Sequence, residues 1–287
     1  ISLFLFYKFN KYLNKSPIGG LILLPSILLY IYFSYNNIYV SFFLLCLLLL
    51  FLGLLDDLFN LSVSIRFSLV FVFIFVFIYL NSDLIKISSF DKNNLFFLVF
   101  FTITVMGFIH TMNMIDGIDG LYISYIFISF IPLAVLDSNL FYFLFFLIFV
   151  LLINLNKKII IGNNGNLYLS AIIPIIFIFN ADSSFDFIGY PLKINKELLT
   201  ILFIIPLIDG LRVTMQRIIN SKSPFKKDFS HIQFLNKNDK LSLFVILLTQ
   251  TFINLLYLTH KNFMITIIIS IFLYLFLLLF LKKWKNE

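Results

Sequence analysis

The sequence predicts an all-α integral membrane protein of about ten spanning helices, and three observations carry that prediction. Hydrophobic residues make up 61% of the 287 and charged residues 12%, with a mean hydropathy of +1.03, far outside the range of soluble domains. Apolar stretches recur along the whole length, most of them close to the roughly 20 residues that one bilayer crossing needs. Runs such as 42–52 are apolar at every position, whereas barrel strands alternate polar with apolar, so helices are expected rather than strands.

The chain begins at Ile1, and residues 1–9 read as the tail of an apolar segment running into Lys8, Lys11 and Lys15, an eleventh span clipped at the N-terminus. Spans are then expected at 21–35, 38–55, 65–80, 95–112, 119–136, 140–154, 166–180, 198–214, 241–258 and 263–281, as one transmembrane domain over 1–287. If the loop after the opening stub faces the cytoplasm, alternate loops hold sixteen Lys and Arg and the remaining loops five. The positive-inside rule then orients the chain.

The acids played no part in that assignment, and they test it. Asp56, Asp57, Asp116, Asp119, Asp209, Asp228 and Asp239 all fall on the side rich in cations, together with the terminal Glu287, and these aspartates abut or enter apolar runs. Asp83, Asp91, Asp137, Asp182, Asp186 and Glu197 fall on the other side, in ordinary polar loops. Only the inner set needs a special explanation.

Cys46 is the single cysteine, which excludes an intramolecular disulfide and a cysteine-built metal site. The formal charge of +7 sorts by membrane side, with no basic stripe on a polar domain, so nucleic acid is not an expected partner. Forty Phe with plentiful Ile, Asn and Lys point to an AT-rich genome, and these counts are given no functional weight.

Four segments stand out from the apolar background. Asp56 and Asp57 close an apolar run, where an ionised carboxylate costs about 3 kcal/mol at mid-membrane and less toward the end, so compensation is expected. Neighbouring helix positions point about 100° apart. One carboxylate is thus free to hold a cation while the other meets substrate. Asn113-Met114-Ile115-Asp116-Gly117-Ile118-Asp119-Gly120 would place Asp116 and Asp119 on one face if helical, with glycines permitting close approach of a phosphate or sugar.

Gly162-Asn163-Asn164-Gly165-Asn166 reads first as a loop, and its exposed amides at the start of the next span could also bind an anion. The longest inner loop is entered through Pro206-Leu207-Ile208-Asp209-Gly210-Leu211-Arg212. It continues to Ser223-Pro224-Phe225-Lys226-Lys227-Asp228-Phe229-Ser230-His231, where His231 stands at i, i+3 from Asp228. Its cations suit diphosphate or lipid headgroups.

These segments, in this order and on one membrane face, resemble the polyprenyl-phosphate N-acetylhexosamine-1-phosphate transferases, a glycosyltransferase family whose members begin cell-envelope polysaccharide synthesis. Lys15-Ser16-Pro17-Ile18-Gly19-Gly20 resembles a weaker form of the family's first motif. The resemblance implies a bacterial inner-membrane enzyme with a cytoplasmic active site. It also implies Mg2+ as cofactor, with Mn2+ as its substitute, and UDP-N-acetylhexosamine and polyprenyl phosphate as partners beside membrane lipid. A homodimer is left open.

By the same resemblance Asp56 orients or deprotonates the lipid phosphate and Asp57 is associated with the metal. Asn113, Asp116 and Asp119 position nucleotide sugar and metal, and Arg212, Lys227 and His231 hold phosphate or sugar. Asn163 stands where the family usually has an aspartate metal ligand, and an amide there lowers metal affinity. Gln233 and Phe234 stand where the family has histidines. Two rival readings follow: an impaired homologue acting as an assembly partner, suggested by Asn163 and Gln233, and a transporter. A transporter predicts acids spread through the membrane depth, against the one-sided cluster here.

Overall fold

The structure, a computed structural model, describes residues 19–22, 25, 37–82, 95–136, 140–156, 159–179, 184–187, 190–193, 196–223 and 229–283. Its helices are α1 (Gly19–Ile22), α2 (Asn37–Phe59), α3 (Val63–Leu80), α4 (Leu95–Ile115), α5 (Leu121–Leu136), α6 (Leu140–Leu155) and α7 (Gly162–Phe179). They continue as α8 (Lys196–Leu202), α9 (Ile204–Ile219), α10 (Asp239–His260) and α11 (Phe263–Lys283). Five of them are long and apolar enough to cross a membrane, over Val40–Phe59, Val63–Leu80, Leu95–Ile115, Asp239–His260 and Phe263–Lys283, and 121–131 and 141–155 are shorter apolar helices. The chain is a multi-pass helical membrane protein. The span expected at 21–35 lies mostly outside the described residues.

The helix ends follow local chemistry. Asn60, at φ 51°, closes α2 in the left-handed region that Asn tolerates, and the Ser62 hydroxyl accepts from the Ile65 N–H to open α3. Asn238 caps α10 by accepting from the Leu241 N–H at 3.2 Å. Within the spans, Thr102 and Ser270 donate back to the carbonyls of Leu98 and Thr266, which satisfies their hydroxyls without water.

The centre of the bundle is α7, buried on every side from Asn164 to Ile175 and packed chiefly on α2 and α4. A helix apolar all round belongs in a core. The apolar faces of α3, α6 and α11 point outward instead, with Val72, Phe145, Phe272 and Leu279 exposed as lipid-facing residues should be. Close approach at the start of α7 depends on glycine. A methyl on Gly53 of α2 would overlap the Asn164 Cα and the Asn163 carbonyl, and one on Gly20 of α1 would overlap Asn164 and Gly165. Small residues let membrane helices meet backbone to backbone.

The all-α expectation holds for the body, with one small addition, and one expected span is corrected. The body is helical, but a short antiparallel hairpin, β1 (Ser184–Phe187) with β2 (Tyr190–Lys193), joins α7 to α8, with Ser184 opposite Lys193 and Phe187 opposite Tyr190. The span expected at 198–214 is two helices broken at Phe203. Pro206 has no N–H to continue the ladder, and the Gln250 side chain supplies partners to the interrupted backbone.

Candidate active site

Helix directions bring the C-terminal ends of α2 and α4 and the start of α7 together at one end of the bundle. Asp57 leaves the last turn of α2 and caps α7 from outside. Its Oδ1 accepts from the Asn163 N–H at 2.9 Å, and its Oδ2 accepts from the Asn164 N–H at 3.1 Å and the Asn164 Nδ2 at 2.8 Å. The first N–H groups of a helix have no partner within it and carry partial positive charge, so a carboxylate there is favoured. Asp57 thus meets Asn163 through the backbone N–H of Asn163.

Asp56 points to the other side, as positions 100° apart must. It is 4% exposed and pairs with Arg66 from the first turn of α3. Arg66 also lines a small cleft with Phe67, Val70, Met106, Ile109, His110, Asn113 and Leu167. Its lining is mostly apolar, with Arg66, His110 and Asn113 as the polar members.

Asp116 and Asp119 do not share a helix face. Residues 116–120 form a tight turn between α4 and α5, with the Gly117 N–H donating to the Ile115 carbonyl and Gly120 at φ +89°. That dihedral is the one glycine supplies without strain. The buried Asn154 of α6 holds the turn: its Oδ1 accepts from the Gly120 N–H at 2.6 Å while its Nδ2 donates to the Ile159 carbonyl at 2.8 Å. The turn is therefore fixed to the approach of α7.

Asp116 accepts from the Asn166 Nδ2 at 3.3 Å. Asn166 is itself held, with its Oδ1 accepting from Ser170 at 3.1 Å and its carbonyl from the Tyr122 hydroxyl at 3.1 Å. The opening of α7 therefore touches both acid motifs, Asp57 through Asn163 and Asn164, and Asp116 through Asn166. Asp119 and Asn113 lie half-buried beside them.

A second cluster is built on α9. Residues 206–212, expected as a loop entry, are helical, so Asp209 and Arg212 stand one turn apart on one face. Asp209 is 4% exposed. Its Oδ1 accepts from Arg212 Nη2 and from the Tyr274 hydroxyl of α11, each at 2.7 Å, and its Oδ2 accepts from His231 Nδ1 at 2.8 Å. Arg212 further donates to the Ser230 carbonyl, the Gln216 Oε1 and the Tyr274 oxygen, so most of its donors serve this cluster.

His231 is paired with Asp209. Asp228, Lys227 and Lys15 lie outside the described residues. The His231 Nε2 faces Arg217 Nη2 at 3.3 Å. A carboxylate only accepts, so Nδ1 donates to Asp209, and Nε2 is turned to Arg217.

The two clusters touch. Gln233 donates from Nε2 to the Met114 carbonyl at 2.8 Å, and a methyl on Gly117 would overlap Phe234 and crowd Gln233. Gly210 of α9 packs on Thr111 and Met114 of α4. The structure thus gathers Asp56, Asp57, Asn113, Asp116, Asp119, Asn163, Arg212 and His231 at one end of the bundle. Among the described residues no three His, Cys, Asp or Glu side chains converge as a metal-holding group.

Sequence reading gave no individual role to Arg66, Asn154, Asn164, Asn166, Asp209 or Tyr274, and counted Arg217 only among the cations of the longest inner loop. Asn164 and Asn166 stood inside a flagged motif, and Asp209 stood at its loop entry. Asn154 and Tyr274 carried no local signal. Discounting asparagine as compositional bias hid them, since Asn154, Asn164, Asn166 and Asn254 are all buried.

Comparison with known proteins fits this geometry. The model of the family described as Glycosyl transferase family 4 matches residues 39–181, which include the acids of α2, the turn and the opening of α7. The chain is 30% identical over 255 residues to an undecaprenyl-phosphate alpha-N-acetylglucosaminyl 1-phosphate transferase of Thermotoga maritima, covering 87% of this chain and 78% of that protein. The chain therefore belongs to glycosyl transferase family 4, as a membrane-embedded glycosyl-1-phosphate transferase.

Proposed function

We propose that this protein transfers an N-acetylhexosamine 1-phosphate from a UDP-sugar to a polyprenyl phosphate at the cytoplasmic face of a bacterial inner membrane, releasing UMP. About ten spans would surround the site. An oxygen of the lipid phosphate attacks the β-phosphorus of the nucleotide sugar, a new P–O bond forms there, and the bridging oxygen leaves on UMP. The observation that carries this reading is the shared hold of Asp57 and Asp116 on the first two turns of α7, which collects two acid motifs distant in sequence into one site.

Two anions must meet, so charge and orientation are the difficulty. Arg66 is charged at a cleft whose walls are apolar, which suits a phosphate carried on a prenyl chain. Asp56 would hold Arg66 toward that phosphate. Asn113, Asp116 and Asp119 would orient the nucleotide sugar, while His231 and Lys227 would hold its phosphate or sugar. Arg212 serves mainly to fix Asp209, and Asp209 in turn fixes His231.

The donor set near the turn consists of carboxylates and amides, all hard oxygen donors. These suit Mg2+ or Mn2+ bound by one or two carboxylates with water and substrate completing the shell. Asp57 and Asp116 would hold it, with Asn163 beside them. Such an ion supplies neutralisation of the diphosphate charge.

Purified protein in lipid nanodiscs, given Mg2+, undecaprenyl phosphate and a panel of UDP-sugars, is expected to release UMP with at least one N-acetylhexosamine donor. Folded protein that releases none with any donor would sink the proposal and favour the assembly-partner reading.

A further inference from the structure

The break between α8 and α9 has an unusual occupant. In an unbroken helix the Ile205 N–H would donate to the Ile201 carbonyl. Here the Gln250 side chain of α10 stands between them, its Nε2 donating to the Ile201 carbonyl at 2.8 Å and its Oε1 accepting from the Ile205 N–H at 3.3 Å. The second Nε2 hydrogen goes to Asn254 Oδ1 at 2.7 Å, and Oε1 also accepts from the Tyr125 hydroxyl at 3.4 Å. Both halves of the amide are used to capacity. Gln250 and Tyr125 are fully buried.

Proline explains why the break is tolerated but not where the new axis points. Pro206 removes one donor, and the ladder resumes when the Leu207 N–H donates to the Phe203 carbonyl at 3.0 Å. Phe203 is wedged edge-on against Phe108 of α4, with ring centroids 4.7 Å apart at 81°. The next two turns carry Asp209, Gly210 and Arg212. Gly210 lies on the end of α4, and Asp209 meets His231 and Tyr274 within hydrogen-bond distance. The direction in which α9 leaves the bend therefore decides whether these contacts form. A neighbouring side chain that re-satisfies a broken helix also fixes its geometry.

We propose that Gln250 is a positioning residue for transfer: its amide, inserted between Ile201 and Ile205, sets the bend that holds Asp209, Arg212 and His231 against the acid-bearing turn. This rests on that end of the bundle being the transferase site. The residue touches no reacting group. It acts through the axis of α9.

The test uses the full chain in nanodiscs with Cys46→Ala, spin labels on Ile219→Cys and Phe252→Cys, and a second substitution at Gln250. Both labelled positions are exposed. Gln250→Met keeps the shape and loses the hydrogen bonds. It is expected to shift or broaden the label-to-label distance by ~3 Å and to lower kcat by about tenfold or more, with KM for the nucleotide sugar changed less than about threefold.

Gln250→Glu, whose protonated carboxyl offers one O–H to Ile201 and one acceptor to Ile205, is expected to keep the wild-type distance and about a third or more of kcat. A Met variant with wild-type distance or wild-type kcat overturns the proposal. So does a Glu variant no better than the Met variant. Absence of transfer by the unsubstituted protein would refute the transferase reading and not the bend, which the distance measurement decides by itself.

Discussion

Gly53→Ala probes the account where backbone meets backbone. The added methyl would overlap the Asn164 Cα and the Asn163 carbonyl, main-chain atoms with no rotamer to escape into. Restoring ordinary contact requires α2 and the opening of α7 to part by about 1 Å, and overpacking of this kind costs about 1–3 kcal/mol. The same movement pulls Asp57 from the N–H groups of Asn163 and Asn164, which it meets at 2.9 and 3.1 Å. A displacement of about 1 Å in a positioned group costs on the order of 100-fold in rate.

Gly107→Ala in α4 is the matched control, because nothing lies within 4 Å of a methyl there. It should leave the rate unchanged and raise helix stability by up to about 1 kcal/mol. Thermal unfolding in detergent and UMP release from a UDP-sugar read the two variants side by side. A Gly53→Ala protein with unchanged unfolding and a rate within threefold of the parent would refute the close-packing argument.

Three further outcomes are expected. Asp209→Asn leaves Arg212 without its counter-charge in a cluster where the aspartate is 4% exposed, and should destabilise the fold by about 3 kcal/mol, read as a lowered unfolding midpoint. Asn154→Ala removes the acceptor of the Gly120 N–H and the donor to the Ile159 carbonyl, costing about 1–3 kcal/mol with a fall in kcat larger than any change in KM. Asn163→Asp adds a carboxylate beside Asp57, and should lower the Mg2+ concentration for half-maximal rate on the order of tenfold in a metal titration.

The long apolar runs were legible because hydropathy is a local property and the bilayer imposes one length on it. So were the motif acids, since Asp56, Asp57, Asp116 and Asp119 are conspicuous where charge is costly. What escaped was the work of neutral amides. Gln250 in an apolar run looks like a lone polar residue, and only the fold brings Ile201 and Ile205 to its two ends. Asn154 and Asn166 resemble every other asparagine in an asparagine-rich chain until their partners across the bundle are seen.

The helical reading of Asp116 and Asp119 failed for a related reason. An Asp-Gly-x-Asp-Gly run permits either a helix face or a turn, and the bond from Asn154 to Gly120 decides for the turn. His231 shows the same limit, because its partner Asp209 stands 22 residues away on α9, a distance no local spacing reveals. Local spacing nominated the residues and tertiary contact chose their partners.

The central claim is that the phosphosugar moves whole onto a lipid phosphate. A nucleotide sugar labelled at the β-phosphorus, incubated with the protein, Mg2+ and undecaprenyl phosphate, tests it most directly. The account predicts the label in the lipid fraction and unlabelled UMP in the water phase. Label retained on a released nucleoside diphosphate would contradict it.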